Sequence, residues 1–221
     1  MRPIRNSFHR LVWFLVLLAM PGARSVEADC VLVSNGLDPL SWNGSASTLL
    51  GEAIGQTFLA RDTLMTMLTV WRPPNTRSVI GAHRYITAVD TTWTPARPDV
   101  HQILLNGPTV RVYDSDPPGQ LIQMDFVLNP PLALPRPGLY AWFLQAEDCW
   151  QGEPWIITAR DDNPYLYGIY WYTGRVDHPC YLRDVAGGTE TTDLIFRIEY
   201  CRPDPTPVRG DSWGHVKVIY R

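Results

Sequence analysis

Lysine is almost absent from this sequence, since Lys217 is the only one among 221 residues. The whole chain carries 19 Lys and Arg against 22 Asp and Glu. Proteins that bind nucleic acid present a basic face, and polybasic segments attach proteins to anionic lipids. The composition therefore predicts no nucleic-acid partner and no electrostatic attachment to a membrane surface.

Long apolar runs are also scarce, and the only one is Leu11–Met20. It is shorter than the roughly 20 residues that a helix needs to span a bilayer. Arginines precede the run and small residues follow it, which is the pattern of a secretory signal cleaved after Ser25 or after Ala28. We therefore predict a signal peptide over residues 1–25 and a secreted protein, extracellular or periplasmic, with no membrane insertion after cleavage.

The sequence motifs of common catalytic sites are missing as well. There is no Gly-x-Ser-x-Gly elbow, no His-Glu-x-x-His zinc motif and no phosphate-binding glycine loop. A glycosidase needs two carboxylates about 5–9.5 Å apart. The acidic residues available for such a pair are Glu147, Asp148, Glu153, Asp161 and Asp162. We predict that the protein is not an enzyme, with a glycoside hydrolase as the less favoured alternative.

No helical periodicity follows the signal, whereas apolar and polar residues alternate between turn-forming segments of a chain with 20 prolines. We predict an all-β protein, an antiparallel two-sheet β-sandwich with about nine strands in residues 26–201. Residues 79–92 hold either one strand or a pair. The other predicted strands are 30–34, 53–60, 64–71, 109–113, 120–128, 139–145, 155–160, 167–172 and 193–200.

Alternation also predicts partners and faces. Residues 53–60 and 64–71 form a predicted hairpin around Arg61-Asp62. Two sets of side chains are each predicted to share one face of their strand: Leu64, Thr66, Leu68 and Val70, and Ile122, Met124, Phe126 and Leu128. The side chains predicted to face inward are Leu194, Phe196, Ile198 and Tyr200. Beyond the domain, residues 202–221 comprise a proline-rich linker and then Trp213–Tyr220, which is either a last edge strand or a detachable tail.

The rest of the chain is organised around Leu134–Trp150. A Pro-Arg-Pro-Gly turn leads into Leu139–Gln145, an apolar and aromatic run that predicts a strand buried on both faces. Tyr140 enters this strand directly after the turn. Its hydroxyl therefore either bonds the upstream backbone, as in the tyrosine corner of Greek-key sandwiches, or simply packs.

All four cysteines follow the predicted signal. An even number of cysteines in an exported chain indicates disulfides. Of the three possible pairings we favour Cys149–Cys180, which closes an aromatic-rich loop, and Cys30–Cys201, which ties the first strand to the last. A zinc site is the competing interpretation, but no Cys-x-x-Cys occurs and the five histidines are scattered.

Residues 148–172 combine aromatic rings with carboxylates and amides. A flat ring stacks on the C–H face of a sugar, and neighbouring polar groups fix the hydroxyls. The alternative is that the rings cover the open end of the core, because large aromatics are mostly buried. The predicted ligand-binding residues are Trp150, Glu153, Asp161, Asp162, Tyr165, Tyr167 and Trp171.

The same loop contains Asp161-Asp162-Asn163-Pro164, which offers the oxygen ligands that Ca²⁺ prefers. We predict Asp161, Asp162 and Asn163 as ligands of a structural calcium that braces the loop. A plain turn is the alternative, since Asx residues before proline favour turns. No other cofactor is predicted.

Four short motifs occur in order along the chain: Gly55-Gln56-Thr57-Phe58, Pro137-Gly138-Leu139-Tyr140, Asp162-Asn163-Pro164-Tyr165 with Gly168, and Asp193-Leu194-Ile195-Phe196-Arg197-Ile198. Over about residues 50–201 the chain thereby resembles the jelly-roll sandwich modules of bacterial secreted proteins and is similar to carbohydrate-binding modules. The resemblance implies a glycan site on a loop face and often a structural calcium.

Together these features predict a non-catalytic secreted β-sandwich that binds a glycan or another cell-surface component through the loop at residues 148–172. The alternative is a structural or assembly protein of the extracellular surface. In that case its edge strands and the tail at Trp213–Tyr220 would make the contacts.

Overall fold

The computed structural model describes residues 30–47, 52–74, 80–112, 119–147, 156–175 and 181–203. These ranges form antiparallel β-structure with no α-helix and a single 3-10 turn at Pro39–Ser41. The all-β prediction is therefore confirmed. None of the described ranges contains a helix with the length and apolar character needed to cross a membrane. The predicted signal peptide and the Trp213–Tyr220 tail lie outside the described residues.

Fourteen strands are present in the described ranges. They are β1 (Cys30–Gly36), β2 (Gly44–Ser47), β3 (Ala53–Ala60), β4 (Leu64–Arg72), β5 (Ile80–Asp90), β6 (Arg97–Asn106), β7 (Val110–Val112), β8 (Ile122–Ala133), β9 (Gly138–Ala146), β10 (Ile156–Arg160), β11 (Tyr170–Thr173), β12 (Val185–Thr189), β13 (Asp193–Leu194) and β14 (Phe196–Pro203).

Three sheets, not the predicted two, contain these strands. The first has the order β1-β14-β4-β8, the second β13-β10-β2, and the third β12-β11-β3-β9-β5-β6 with β7 paired to β5. In the second sheet, β10 and β13 fall within the predicted strands 155–160 and 193–200. β2 was not predicted, because residues 44–47 are glycine, serine and alanine without apolar alternation. β6 and β12 raise the number of strands above nine. They contain a proline and two glycines, respectively, which strands usually avoid.

β9 lies in the middle of the third sheet and pairs along its length with β3 and β5. Its side chains alternate between two apolar clusters, because successive residues of a strand point to opposite faces. Tyr140, Trp142 and Leu144 belong to the main core, whereas Ala141 and Phe143 belong to a smaller cluster. The prediction of a strand buried on both faces is confirmed.

The smaller cluster brings together residues from several strands of the third sheet. Besides the two β9 residues it contains Tyr85, Val100, Trp171, Leu182 and Val185, contributed by β5, β6, β11, the segment before β12 and β12 itself. This second layer of apolar packing covers the face of the third sheet that the main core does not use.

Alternation identified the inward faces of two strands correctly. Every second residue of β8 from Ile122 to Leu128 is buried, and Phe196, Ile198 and Tyr200 of β14 are fully buried together with Leu194. In β4 the register shifts between Met65 and Met67. Such a bulge reverses the faces on its two sides. The predicted common face of Leu64, Thr66, Leu68 and Val70 is therefore interrupted, and Met65 joins Leu68 and Val70 in the core.

The predicted hairpin between residues 53–60 and 64–71 is wrong. Both strands exist, but β3 pairs with β9 and β11 in the third sheet, whereas β4 pairs with β14 and β8 in the first. The short connection at Arg61-Asp62 therefore crosses from one sheet to another. Residues 79–92, for which one strand or two were open, contain the single strand β5.

Tyr140 forms the predicted tyrosine corner. Its hydroxyl donates to the carbonyl oxygen of Arg136 at 2.7 Å, four residues upstream in the turn that precedes β9. This bond holds the turn against the start of the strand while the ring lies in the main core.

The two predicted disulfides lie largely outside the described side chains. Cys149 and Cys180 are not among the described residues, and Cys201 is buried in β14. The backbone register pairs Cys30 with Pro203 and Leu32 with Cys201. Cys30 and Cys201 thus lie on adjacent strands, two register positions apart, and their pairing stays a prediction.

Candidate functional site

Three of the four motifs meet in a buried hydrogen-bond network. Gln56 of β3 donates from Nε2 to Asp193 Oδ1 of β13 at 2.6 Å, and its Oε1 accepts the N–H of Leu194. Asp193 Oδ2 accepts the N–H of Tyr165 at 2.7 Å. Gln56 and Asp193 are fully buried, so water does not compete for these bonds. The name Gln56 network is given to Gln56, Thr57, Tyr165, Gly168 and Asp193.

The Gln56 network fastens the segment between β10 and β11 onto β3. The N–H of Ile169 donates to Thr57 Oγ1 at 2.8 Å, and the N–H of Leu59 donates to the Tyr165 hydroxyl at 3.1 Å. Gly168 lies so close that an added Cβ would be 2.6 Å from the Thr57 carbonyl oxygen. These motif residues therefore stabilise the fold, and their sequence pattern marks the place where the segment between β10 and β11 is joined to β3.

Asp193 is the titratable group of this network. Burial raises its pKa to about 6, although the bonds from Tyr165 and Gln56 lower it. Burial disfavours the ionised carboxyl because it removes hydration, and the like charge of Asp162 raises the pKa of Asp193 further. The network thus has a protonation state that changes within the mildly acidic range.

Two of the predicted ligand-binding rings are buried. Tyr165 is 7% exposed, and its ring meets Phe196 edge to face with centroids 5.2 Å apart. Trp171 is also 7% exposed and packs in the smaller cluster. Their burial corrects the expectation of an exposed platform and agrees with the alternative that rings cover the core. Tyr167 is 54% exposed, and Trp150 and Glu153 lie outside the described residues.

The three predicted calcium ligands make the contacts of a turn. Asp162 accepts from Arg160, whose bond lowers the pKa of the Asp162 carboxyl. The N–H of Asp161 donates to Asn43 Oδ1 at 3.0 Å, and Asn163 adopts a left-handed conformation with φ of 46°. Within the described ranges, no group of three or more His, Cys, Asp or Glu side chains is arranged to hold a metal ion. Calcium binding stays a prediction.

An open cleft lies over the smaller cluster, at the connection between β5 and β6. Two adjoining depressions of about 340 and 240 Å³ share Trp93, Arg97 and Val185 in their walls. The Trp93 ring is 57% exposed. The name Trp93 cleft is given to the surface formed by Asp90, Trp93, Arg97, Asp99, His101, Asp184 and Val185.

Local turn chemistry places Trp93 at the surface. Asp90 ends β5, and its Oδ1 accepts the N–H of Thr92 at 2.9 Å and the hydroxyl of the same residue at 2.7 Å. An aspartate that bonds the chain two residues ahead initiates a turn. These bonds also lower the pKa of the Asp90 carboxyl. Trp93 follows this turn with its ring 57% exposed, and its side chain also hydrogen-bonds the Asp90 carboxyl.

Arg97 connects the two sides of the cleft. It lies at the start of β6, and its Nη2 donates to the carbonyl oxygen of Val185 in β12 at 2.5 Å. Its guanidinium carbon is 5.6 Å from the centroid of the Trp93 ring. One side chain thus joins β6 to β12 and supports one face of the exposed ring by a cation–π contact.

The rim of the cleft is polar. His101 Nε2 lies 3.2 Å from Asp184 Oδ1, with both side chains mostly exposed. Asp99 Oδ1 accepts the N–H of His101 at 3.0 Å, and its Oδ2 accepts from Gln102. An exposed indole bordered by carboxylates, a guanidinium and an imidazole provides an apolar platform with orienting hydrogen-bond groups.

Sequence reasoning missed this cleft altogether. Its residues come from the β5–β6 connection, from β6 and from the start of β12, which are far apart in the chain. The one available signal was Trp93, a large aromatic between threonines in a segment rich in turn formers. Comparison with models of known families and with curated proteins finds no match for this chain.

Proposed function

We propose that this protein is a non-catalytic, secreted β-sandwich of the jelly-roll kind that binds a glycan in the Trp93 cleft. The observation that carries the proposal is the exposure of the Trp93 ring beside two adjoining depressions. A pyranose presents an apolar C–H face, which a flat indole accommodates, and hydroxyls, which the surrounding polar side chains can orient.

The state of the carboxylates favours binding over hydrolysis. A glycosidase requires a general acid whose pKa is raised so that it holds a proton at working pH. Hydrogen bonds from Thr92 lower the pKa of Asp90 instead. Asp99 and Asp184 are bonded to the backbone and ring of His101, respectively, which suits fixed acceptors of sugar hydroxyls.

The proposal is tested by measuring affinity for a broad set of oligosaccharides with Trp93→Ala, Trp93→Phe and the original chain. We expect Trp93→Ala to weaken binding by at least about tenfold and Trp93→Phe to weaken it less, because a smaller ring keeps part of the stacking surface. Trp42→Ala is the matched control, since Trp42 is a 37% exposed tryptophan outside the cleft. Equal losses in both alanine variants, or no binding by the original chain, would contradict the proposal.

The same proposal includes export. We expect the exported protein to contain the two disulfides Cys30–Cys201 and Cys149–Cys180. The antiparallel pairing of β1 with β14 places Cys30 and Cys201 on neighbouring strands, two register positions apart. Peptide mapping without reduction should recover both linked pairs from the exported protein. Recovery of free thiols at all four positions would contradict this part.

A second candidate is assembly through a sheet edge. β8 is twelve residues long, pairs only with β4 among the described strands and exposes 59% of Val127. Edge strands of this length can pair with another chain. This candidate predicts a mass above that of the monomer in light scattering and its reduction by Val127→Lys. A monomeric original chain would retire it.

A further inference from the structure

More acidic than basic side chains line the Trp93 cleft. Three carboxylates, those of Asp90, Asp99 and Asp184, border the larger depression together with the guanidinium of Arg97 and the imidazole of His101, which is bonded to Asp184. Each carboxylate has accepted bonds from its own neighbours, yet a carboxylate has about four lone-pair positions, so acceptor capacity remains for a ligand.

The guanidinium of Arg97 is already engaged. Arg97 donates from Nη2 to Val185, and one face of its guanidinium lies against Trp93. Its side chain is only partly exposed, whereas the side chain of Asp184 is 77% exposed. The most exposed groups of the rim are the paired His101 and Asp184, and the three carboxylates outnumber the one guanidinium, so an anionic ligand would meet net repulsion.

The exposed indole completes the chemistry. The face of a tryptophan ring attracts cations. Carboxylates at its border attract them as well, and a partly enclosed surface strengthens this attraction because its effective dielectric constant is lower than that of bulk water. A sugar with a protonated amino group offers both an apolar C–H face for Trp93 and a positive charge for the acidic rim.

We propose that the Trp93 cleft selects oligosaccharides that carry free amino groups, such as glucosamine polymers, over neutral and acidic ones. This specificity rests on the proposed function, because it assumes that the cleft binds a glycan. It goes further in assigning Asp90, Asp99 and Asp184 as the residues that determine which glycan binds.

The test compares two oligomers of one backbone and one length by calorimetry: a glucosamine oligomer and its N-acetylated counterpart, which lacks the charge. We expect the amino form to bind about tenfold more tightly at low ionic strength, since two nearby carboxylates each contribute a moderate Coulomb attraction. Because exposed charges are screened, high salt should reduce this preference to near unity. A polyuronate of similar length should not bind.

Charge-neutralising variants assign the effect to the cleft. Asp184→Asn and Asp90→Asn keep an acceptor oxygen, so the local hydrogen bonds can persist while the charge is lost. Each should reduce affinity for the amino form about threefold more than it reduces affinity for the N-acetylated form, so that the preference falls about threefold. The control is Glu190→Gln, which removes one exposed carboxylate outside the cleft and should leave the preference intact.

The two proposals fail in different ways. Equal affinity for amino and N-acetylated oligomers, or a preference that Asp184→Asn and Asp90→Asn leave unchanged, overturns the specificity while the glycan proposal stands. Failure of every oligosaccharide to bind overturns both. A lysine-rich peptide that binds more tightly than the glucosamine oligomer, with the same dependence on Asp184, overturns the assignment of a glycan and makes the cleft a site for cationic protein segments.

Discussion

The Gln56 network and the Trp93 cleft lie in the same molecule but are built in opposite ways. The network is buried, joins residues of three recognisable sequence motifs and satisfies its polar groups internally. The cleft is open, is formed by residues that belong to no motif, and leaves an aromatic face and carboxylate oxygens available. The conspicuous residues of the sequence therefore stabilise the fold, while the inconspicuous ones form the candidate binding surface.

This contrast has a physical basis. A buried polar group must find a partner of fixed geometry, which restricts several residues at once and produces a readable pattern. An exposed side chain has few such restrictions, so a binding surface leaves little trace in one sequence. Substitutions in the two regions should accordingly differ in what they damage, stability in the first and affinity in the second.

The largest effect is expected for Gln56→Leu. Leucine has a similar volume but cannot bond Asp193 or Leu194, so a buried carboxylate oxygen and a buried N–H both lose a partner. The free energy of unfolding should fall by about 3–5 kcal/mol at neutral pH, measured by urea denaturation. A loss below about 1 kcal/mol would mean that the network is not the structural junction described here.

The next effect is a pH dependence from Asp193. Its pKa rises from 3.8 to about 6 on folding, so between these values the folded protein holds a proton that the unfolded chain has released. Stability contributed by this group is therefore present below pH 4 and is lost as pH rises to about 6, by up to about 3 kcal/mol.

The variant Asp193→Asn isolates that contribution. Urea denaturation at a series of pH values should show a shallower fall in stability between pH 4 and 6 than in the original chain, because asparagine does not titrate. Identical pH profiles for the two proteins would show that Asp193 titrates normally in the folded state.

A smaller effect is expected for Gly168→Ala. The added methyl group would lie 2.5 Å from Tyr165 Cδ1 and 2.6 Å from the Thr57 carbonyl oxygen, so neighbouring groups must shift. The cost should be about 2 kcal/mol in thermal or urea unfolding. The matched control is Gly174→Ala, whose methyl group would meet nothing closer than 3.8 Å and should change stability by less than about 0.5 kcal/mol.

The smallest effect on stability is expected in the cleft itself. Trp93→Ala removes an exposed ring that contacts Arg97, and unfolding should change by about 0.5 kcal/mol or less. The same variant is expected to have the largest effect on glycan affinity. A marked loss of stability instead would place Trp93 among the structural residues and remove the contrast between the two regions.

Strands with clear alternation were predictable from sequence. The buried faces of β8, β9 and β14 follow directly from residue type. For Tyr140 the sequence left two alternatives, and the structure has the bond to the upstream backbone, at Arg136. Each of these features depends on residues close together in the chain, where local patterns carry the information.

Pairing partners and exposure were less predictable. Alternation shows that β3 and β4 are strands but does not show that they belong to different sheets. Tyr165 and Trp171 are residue types that often form binding surfaces. In the fold, however, Phe196 packs against the ring of Tyr165, and Val185 and its neighbours in the smaller cluster pack with Trp171. The Trp93 cleft needs β6 and β12 to be adjacent through Arg97, a long-range contact that one sequence does not encode visibly.

The position of β9 also determines how the molecule opens. Hydrogen bonds to β3 on one side and β5 on the other protect its backbone, and both of its faces are covered by apolar side chains. No local fluctuation can expose such a strand, so its amide hydrogens should exchange with solvent only through global unfolding. Amide exchange at Trp142 and Phe143 would then report the stability of the whole fold.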